Sequence, residues 1–272
     1  MATCYRHPSR ETGVACSNCG RPICTDCMTP TPVGMRCPEC AKQRTKVHTI
    51  GSVAGTHAPQ LTQAIIAICI VAFLAGGNFG VGEPTSSWID RNGWLYGPQV
   101  ADGEWWRLVT GGFLHADLLH IALNMVLLWF LGSQIEAKLG TARFGLVYLT
   151  GLLGGSLGAL VQTQGITVGA SGAVFGLAGY LLVEMRRQGV NPFQSQLGFL
   201  IIINLVLSFR PGVSWGGHLG GLVFGALAAL ALHEGARRGP RWAGPALLGV
   251  LCVVAAVGGI LVAEPFSTGS FA

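Results

Sequence analysis

The sequence is poor in charge. Asp, Glu, Lys and Arg make up 11% of its 272 residues, less than half the ~25% usual in soluble domains. With half the residues hydrophobic and a mean hydropathy of +0.52, that shortage excludes an ordinary soluble globular fold. The 41 glycines follow no Gly-X-Y period, which rules out collagen, and they lie inside apolar runs, which rules out disordered linkers. Cysteine is nearly missing after residue 40, where Cys69 and Cys252 read as small apolar residues. Strong basicity is lacking as well. The net charge is +5, and seven Lys and Arg against three Asp and Glu in residues 1–50 account for most of it.

What cysteine there is stands at the start. Seven of the nine fall within the first 40 residues, in pairs that read Cys4-x2-His7, Cys16-x2-Cys19, Cys24-x2-Cys27 and Cys37-x2-Cys40. A C-x2-C step lets both sulfurs of a tight turn face one ion. Zn²⁺ takes four such ligands in a tetrahedron, so eight ligands imply two structural zinc ions. A disulfide framework is the competing explanation. An odd number of thiols, a histidine in the set and no secretory signal ahead of it count against that framework and for a reducing compartment. Seven thiolates on two Zn²⁺ leave a formal −3 that nearly cancels the local side-chain charge, so nucleic acid is not an expected partner. The spacing resembles a B-box-type zinc finger, whose ligand pairs alternate between ions. That resemblance implies one ion on Cys4, His7, Cys24 and Cys27 and the other on Cys16, Cys19, Cys37 and Cys40. Spacing alone also allows sequential pairing. So short a segment cannot fold on burial alone, and metal would supply most of its folding free energy. Its expected role is docking of a cytoplasmic protein partner, with a structural cap as the alternative.

From residue 61 onward, charge-free stretches approach or exceed the ~20 residues that a helix needs to cross a bilayer. Helices are predicted at residues 61–79, 118–135, 144–161, 171–184, 196–209, 217–233 and 244–262. The uncharged run between Arg143 and Glu184 is too long for one crossing, and Gln162-Thr163-Gln164-Gly165 splits it in two. With the N-terminus inside, the loops on that side hold ten Lys and Arg against three on the other, which sets the orientation. The expected organisation is an all-α polytopic protein of the cell membrane. A zinc-binding domain at 1–40 lies in the cytoplasm, a polar linker runs over 41–59, a helical core spans 60–235, and 236–272 add a seventh membrane helix and an external C-terminal tail. Residues 80–117 form a long external loop.

Ionisable and polar side chains within such spans are costly in hydrocarbon and mark function by default. Ser171 begins the fourth span in Gly169-Ala170-Ser171-Gly172, His218 begins the sixth in Gly217-His218-Leu219-Gly220-Gly221, and His120 with Asn124 begins the second. All three of these spans enter from the external side, so the four residues share one depth. His120 and Asn124 are i and i+4, on one helix face. Gly172 and Gly176 form one ridge of small residues and Gly217, Gly221 and Gly225 another. Such ridges let membrane helices approach to backbone contact. A hydroxyl and an imidazole brought together that way make a nucleophile and its general base. No acidic residue lies at that depth to orient the imidazole, so a dyad rather than a triad is expected. Taken singly, a membrane serine bonding to its own helix and a histidine bridging two helices need no function; their joint placement does.

These residues resemble those of the rhomboid intramembrane serine proteases. The matching elements are Trp106-Arg107, His115 with His120-x3-Asn124, Gly132-x3-Glu136-x3-Gly140, Gly169-Ala170-Ser171-Gly172 and His218-x2-Gly221-x3-Gly225. The resemblance implies that Ser171 is the nucleophile, His218 the general base, and His120 and Asn124 the donors to the oxyanion. It also implies a six-helix core, here with a seventh helix appended, and membrane-anchored protein substrates cut within a transmembrane helix embedded in the lipid bilayer. Phe175 stands where many relatives carry a tyrosine stacked on the catalytic histidine; phenylalanine keeps the stack. Trp105, Trp106 and Arg107 are either interfacial anchors or shape the site. Glu136 reads as structural, bonding across a loop. The competing function is a non-catalytic relative that binds membrane helices in trafficking or quality control, for which Ser171 and His218 would have no use.

Overall fold

The computed structural model describes residues 2–31, 34–42, 58–77, 79, 87–210 and 212–264. Most of the expected linker and the expected external tail beyond 264 lie outside the described residues. The chain divides into two compact units, Met1–Val53 and Ala54–Ala272.

The first unit has very little regular structure. Strand β1 (Ala2–Thr3) pairs antiparallel with β2 (Glu11–Thr12), β3 (Thr29–Thr31) pairs with β4 (Gly34–Arg36), and a short helix α1 (Pro38–Lys42) follows. Its buried core is six cysteines and one isoleucine, Ile23. One fully buried aliphatic side chain is worth about 1.5–3 kcal/mol, far below the entropy of ordering some 40 residues. Something other than apolar burial must hold this unit.

The second unit is helical: α2 (Gln60–Gly76), three short helices α3 (Trp88–Gly93), α4 (Gly97–Ala101) and α5 (Arg107–Thr110), then α6 (Leu118–Leu139), α7 (Thr141–Gln162), α8 (Ser171–Arg187), α9 (Gln196–Leu207), α10 (Trp215–Arg238) and α11 (Ala243–Val262). Each of the seven apolar segments expected from the sequence is a helix. Four of them, α6, α7, α10 and α11, are long and apolar enough to cross a membrane, while α2 is a shorter apolar helix; α8 has 17 residues and α9 has 12. The long uncharged run breaks after Gln162, where Thr163 turns extended.

Helices α7, α8 and α10 meet along glycines. A Cβ added at Gly221 would lie 2.0 Å from the Gly172 carbonyl oxygen, and one at Gly225 would lie 1.8 Å from that of Gly176. The two expected ridges therefore touch. A third row completes the seam: a Cβ at Gly155 would stand 2.8 Å from Gly172 Cα, and one at Gly151 2.8 Å from Gly176 Cα. At these points backbone lies against backbone, and any side chain would separate the helices.

Glu136 is fully buried, and its carboxylate accepts hydrogen bonds from Leu61 N–H (2.9 Å), Thr62 N–H (2.8 Å), the Thr62 hydroxyl (2.8 Å) and the Thr141 hydroxyl (3.0 Å). It caps the otherwise unpaired first turn of α2 and ties it to the start of α7. Gly140, at φ +78°, turns the chain sharply between α6 and α7.

Residues 87–113, expected as loop, wind into short helices around Arg107. That side chain is 1% exposed; it donates from Nε to Glu104 (2.6 Å), from Nη1 to the Trp94 carbonyl (2.9 Å) and from Nη2 to the Arg91 carbonyl (2.9 Å). Arg107 is thus an internal staple rather than an interfacial anchor, whereas Trp105 and Trp106 are exposed beside it. Helix α11 lies on α7, with Cys252 Sγ 3.3 Å from Thr150 Oγ1. Its C-terminal end meets Gln164, which donates to the Val262 carbonyl at 3.2 Å and accepts from Glu264 N–H at 3.1 Å.

Candidate active site and metal sites

Ser171 is the first residue of α8. It is aimed by the segment before it. Leu95 and Thr167 exchange an antiparallel bridge, Gly169 N–H donates to the Gly111 carbonyl at 3.0 Å, and Ala170 N–H reaches His115 Nε2 at 3.5 Å. His115, 1% exposed, is therefore a prop under the loop. Gly169 sits at φ +126°, a conformation that L side chains rarely adopt, and a Cβ there would lie 2.7 Å from His120 Nε2 and 3.7 Å from Ser171 Oγ. Glycine is required twice over, for the turn and for the room.

His218 lies in the first turn of α10, which Ser214 caps by accepting from Gly217 N–H at 3.2 Å. Its Nε2 is 2.8 Å from Ser171 Oγ. Phe175, one turn below Ser171, stacks on the imidazole with ring centroids 4.3 Å apart and planes 14° from parallel. The hydroxyl and the ring come together because the glycine seam lets α8 and α10 touch.

His120 opens α6 beneath its cap, Asp117, which accepts from His120 N–H at 2.8 Å. Ala116 N–H points at His120 Nδ1 from 3.4 Å. A ring nitrogen that accepts carries no proton in neutral imidazole, so the hydrogen belongs on Nε2, the edge that faces Gly169 and Ser171. Asn124 is buried one turn on, and its amide donates back to the His120 carbonyl at 2.9 Å. The structure thus brings Ser171 to His218 and His120 to the Gly169 turn, and it holds Asn124 against its own helix with one amide hydrogen committed.

A further residue escaped the sequence reading. Ser208, just past α9 and 1% exposed, meets His218 Nδ1 with its hydroxyl. The sequence leads to the expectation that no acidic residue orients the imidazole, and the group that meets Nδ1 is a neutral hydroxyl. No spacing rule points to a serine ten residues ahead of the histidine on a different helix.

In the first unit, two groups have all their ligand atoms within 4.8 Å of one another: Cys4, His7, Cys24 and Cys27, and Cys16, Cys19, Cys37 and Cys40. These are the alternating sets, not the sequential ones. All seven thiols are free of disulfides. The donor chemistry fits a divalent cation. At Cys4, burial opposes the thiolate, but the N–H groups of Arg6, Cys24 and His7 outweigh it and draw the thiol down to about 6. Cys16 is likewise drawn to about 6, against burial, by the N–H groups of Cys37, Asn18 and Cys19. Burial and the neighbouring Cys4 and Cys24 sulfurs push Cys27 up to about 11. A crowd of sulfurs that cannot all ionise together is what a metal ion relieves.

Comparison with known proteins agrees with the helical geometry. Residues 102–235 match the family model described as Rhomboid domain. The Rhomboid protease GluP of Bacillus subtilis (strain 168) is 33% identical over 218 residues, 78% of this chain and 43% of that protein. RHOMBOID-like protein 6, mitochondrial, of Arabidopsis thaliana is 39% identical over 150 residues, 52% of this chain and 48% of that one. Rhomboid-like protease 3 of Toxoplasma gondii is 28% identical over 190 residues, 67% and 71%. The chain spans less than half the length of the first two of these relatives.

Proposed function

We propose, from the match of its helical core to the Rhomboid domain and from its four helices long and apolar enough to cross a membrane, that this chain is a multi-pass membrane protein of the rhomboid family and an intramembrane serine endopeptidase. The observation that carries this reading is the 2.8 Å hydrogen bond between Ser171 Oγ and His218 Nε2, at a helix N-terminus. His218 takes the Ser171 proton as the hydroxyl attacks a peptide carbonyl. Negative charge then develops on that oxygen, where each preorganised donor contributes about 3–4 kcal/mol. His120 Nε2–H faces the Ser171 turn, and the first N–H groups of α8 have no carbonyl four residues back to bond. Asn124 is the remaining donor, through its second amide hydrogen. His218 returns the proton to the leaving amine, and water releases the acyl-enzyme.

The N-terminal unit is read as a B-box-type finger holding two structural zinc ions in the alternating pattern, with catalysis independent of both. The charge asymmetry of the loops supports a cytoplasmic finger, an external C-terminus and a cell-membrane location. The domain plan follows as a finger at 1–40, a linker at 41–59, a protease core at 60–235 and an appended helix from 236. Substrates are membrane-anchored proteins cut near the external end of a transmembrane segment, where the substrate helix must locally unwind before Ser171 can reach a carbonyl. The finger offers a surface for a cytoplasmic protein. Labelling the purified protein with a fluorophosphonate tests the core of this reading. Wild type should label and Ser171→Ala and His218→Ala should not; equal labelling of Ser171→Ala removes the nucleophile from the proposal. A wild type that does not label decides for the competing reading, a non-catalytic binder of membrane helices.

A further inference from the structure

The stack on Phe175 fixes the plane of the His218 ring, with planes 14° apart at 4.3 Å. It does not choose which ring edge faces Ser171, because turning the imidazole over by half a rotation leaves the stack intact. Nor does it choose which nitrogen carries the proton. Both choices decide whether His218 can act as a base: Nε2 must face Ser171 and must be unprotonated.

Ser208 makes both choices. Its N–H and its hydroxyl both reach the Asn204 carbonyl, at 3.0 Å and 2.6 Å. A hydroxyl has one hydrogen and two lone pairs. With the hydrogen directed at Asn204, Ser208 Oγ presents a lone pair to His218 Nδ1, the partner it meets. Nδ1 must then be the protonated nitrogen. Nε2 is left bare and accepts the Ser171 proton across 2.8 Å. When His218 becomes imidazolium, the Nδ1–H bond to Ser208 becomes charge-assisted and strengthens.

Resting on the reading of Ser171 and His218 given above, we propose that Ser208 is a positioning residue for the general base. It is a neutral third member of the relay, in the place where a carboxylate stands in soluble serine proteases. A neutral acceptor suits this site: an ionised carboxylate at the same buried position would need its own desolvation repaid by hydrogen bonds. Ser208 closes α9, a helix that turns Phe199 and Val206 outward, so the position of α9 and the state of the base are joined by one hydrogen bond.

The test is kinetics of the full-length protein in proteoliposomes on a fluorescent transmembrane reporter, comparing Ser208→Ala, Ser208→Thr and wild type, with Ser171→Ala as the blank. Ser208→Ala should lower kcat about 10-fold or more, with KM within about twofold and an unchanged melting temperature. Ser208→Thr, which restores the hydroxyl, should recover most of the loss. Three results would overturn the proposal: a Ser208→Ala kcat equal to or above wild type, a loss confined to KM, or a folded Ser208→Thr as slow as Ser208→Ala. A rise in kcat would mean that the hydroxyl donates to Nδ1 and holds the unproductive tautomer. Should Ser208→Ala not fold, the ¹⁵N shifts of His218 in wild type decide, with an Nδ1–H tautomer expected and an Nε2–H tautomer overturning the assignment. Activity surviving in the Ser171→Ala blank would instead remove the protease reading itself, so the two failures are told apart.

Discussion

The two units of this protein solve one problem in opposite ways. Each must bring together groups that are far apart in sequence, and neither does so with large packed side chains. In the first unit, turns that carry Cys4, His7, Cys24 and Cys27 gather around a common point with almost no apolar core beside Ile23. In the second, Ser171 and His218, 47 residues apart, meet because glycine removes the side chains between α7, α8 and α10. On the reading proposed above, one is assembled by adding ligand bonds and the other by subtracting atoms. The first should be sensitive to a metal chelator and indifferent to methyl groups added along the helices. The second should show the reverse.

Chelation gives the largest expected effect. Structural zinc contributes about 10–16 kcal/mol in small fingers, so a strong chelator should unfold residues 1–40 while leaving the melting of the helices and proteolysis unchanged. Elemental analysis beforehand should return two zinc ions per chain, the number of four-ligand groups. A single ion, or loss of helical structure on chelation, would break the contrast between the units.

Next come the reacting groups. Ser171→Ala and His218→Ala should each reduce proteolysis about 10⁴-fold or more, to background, with zinc content untouched. Removing both together should cost little more than removing either, because the pair acts as a unit. Additive losses would argue that the two side chains do separate jobs.

His120→Ala should lower kcat about 100-fold, in the range for one oxyanion donor. Asn124→Ala should cost less, about 10-fold, since one of its amide hydrogens is spent on the His120 carbonyl. Single-turnover acylation rates measure both, and a larger loss at Asn124 would reverse the ranking of the two donors.

The smallest effect sharpens the comparison most directly. Gly225→Ala places a Cβ 1.8 Å from the Gly176 carbonyl oxygen and should destabilise the helical unit by about 1–3 kcal/mol and lower activity with it. Gly249→Ala, on α11 with nothing within 4 Å, should be neutral or slightly stabilising. Thermal melting in detergent separates the two, and equal effects would show that the seam is not under backbone contact.

Much of this could be read from the sequence because the relevant physics is short-range. Ligand steps such as Cys16-x2-Cys19, the apolar lengths of the helices, the break at Gln162 and the shared face of His120 and Asn124 all follow from local geometry and from the cost of charge in hydrocarbon. The ridges on α8 and α10 were legible for the same reason. What needed the fold were the choices that depend on how helices rotate about their axes. The third glycine row on α7, Arg107 turned inward as a staple, Asn124 turned back onto α6 and Ser208 placed on His218 Nδ1 are such choices. A one-residue helical rotation of ~100° carries a side chain from a neighbouring helix out into lipid without altering composition or hydropathy. The sequence by itself therefore determined which residues could react and which turns could bind metal. Only the packing of α7, α8, α9 and α10 decided which partner each reactive atom faces.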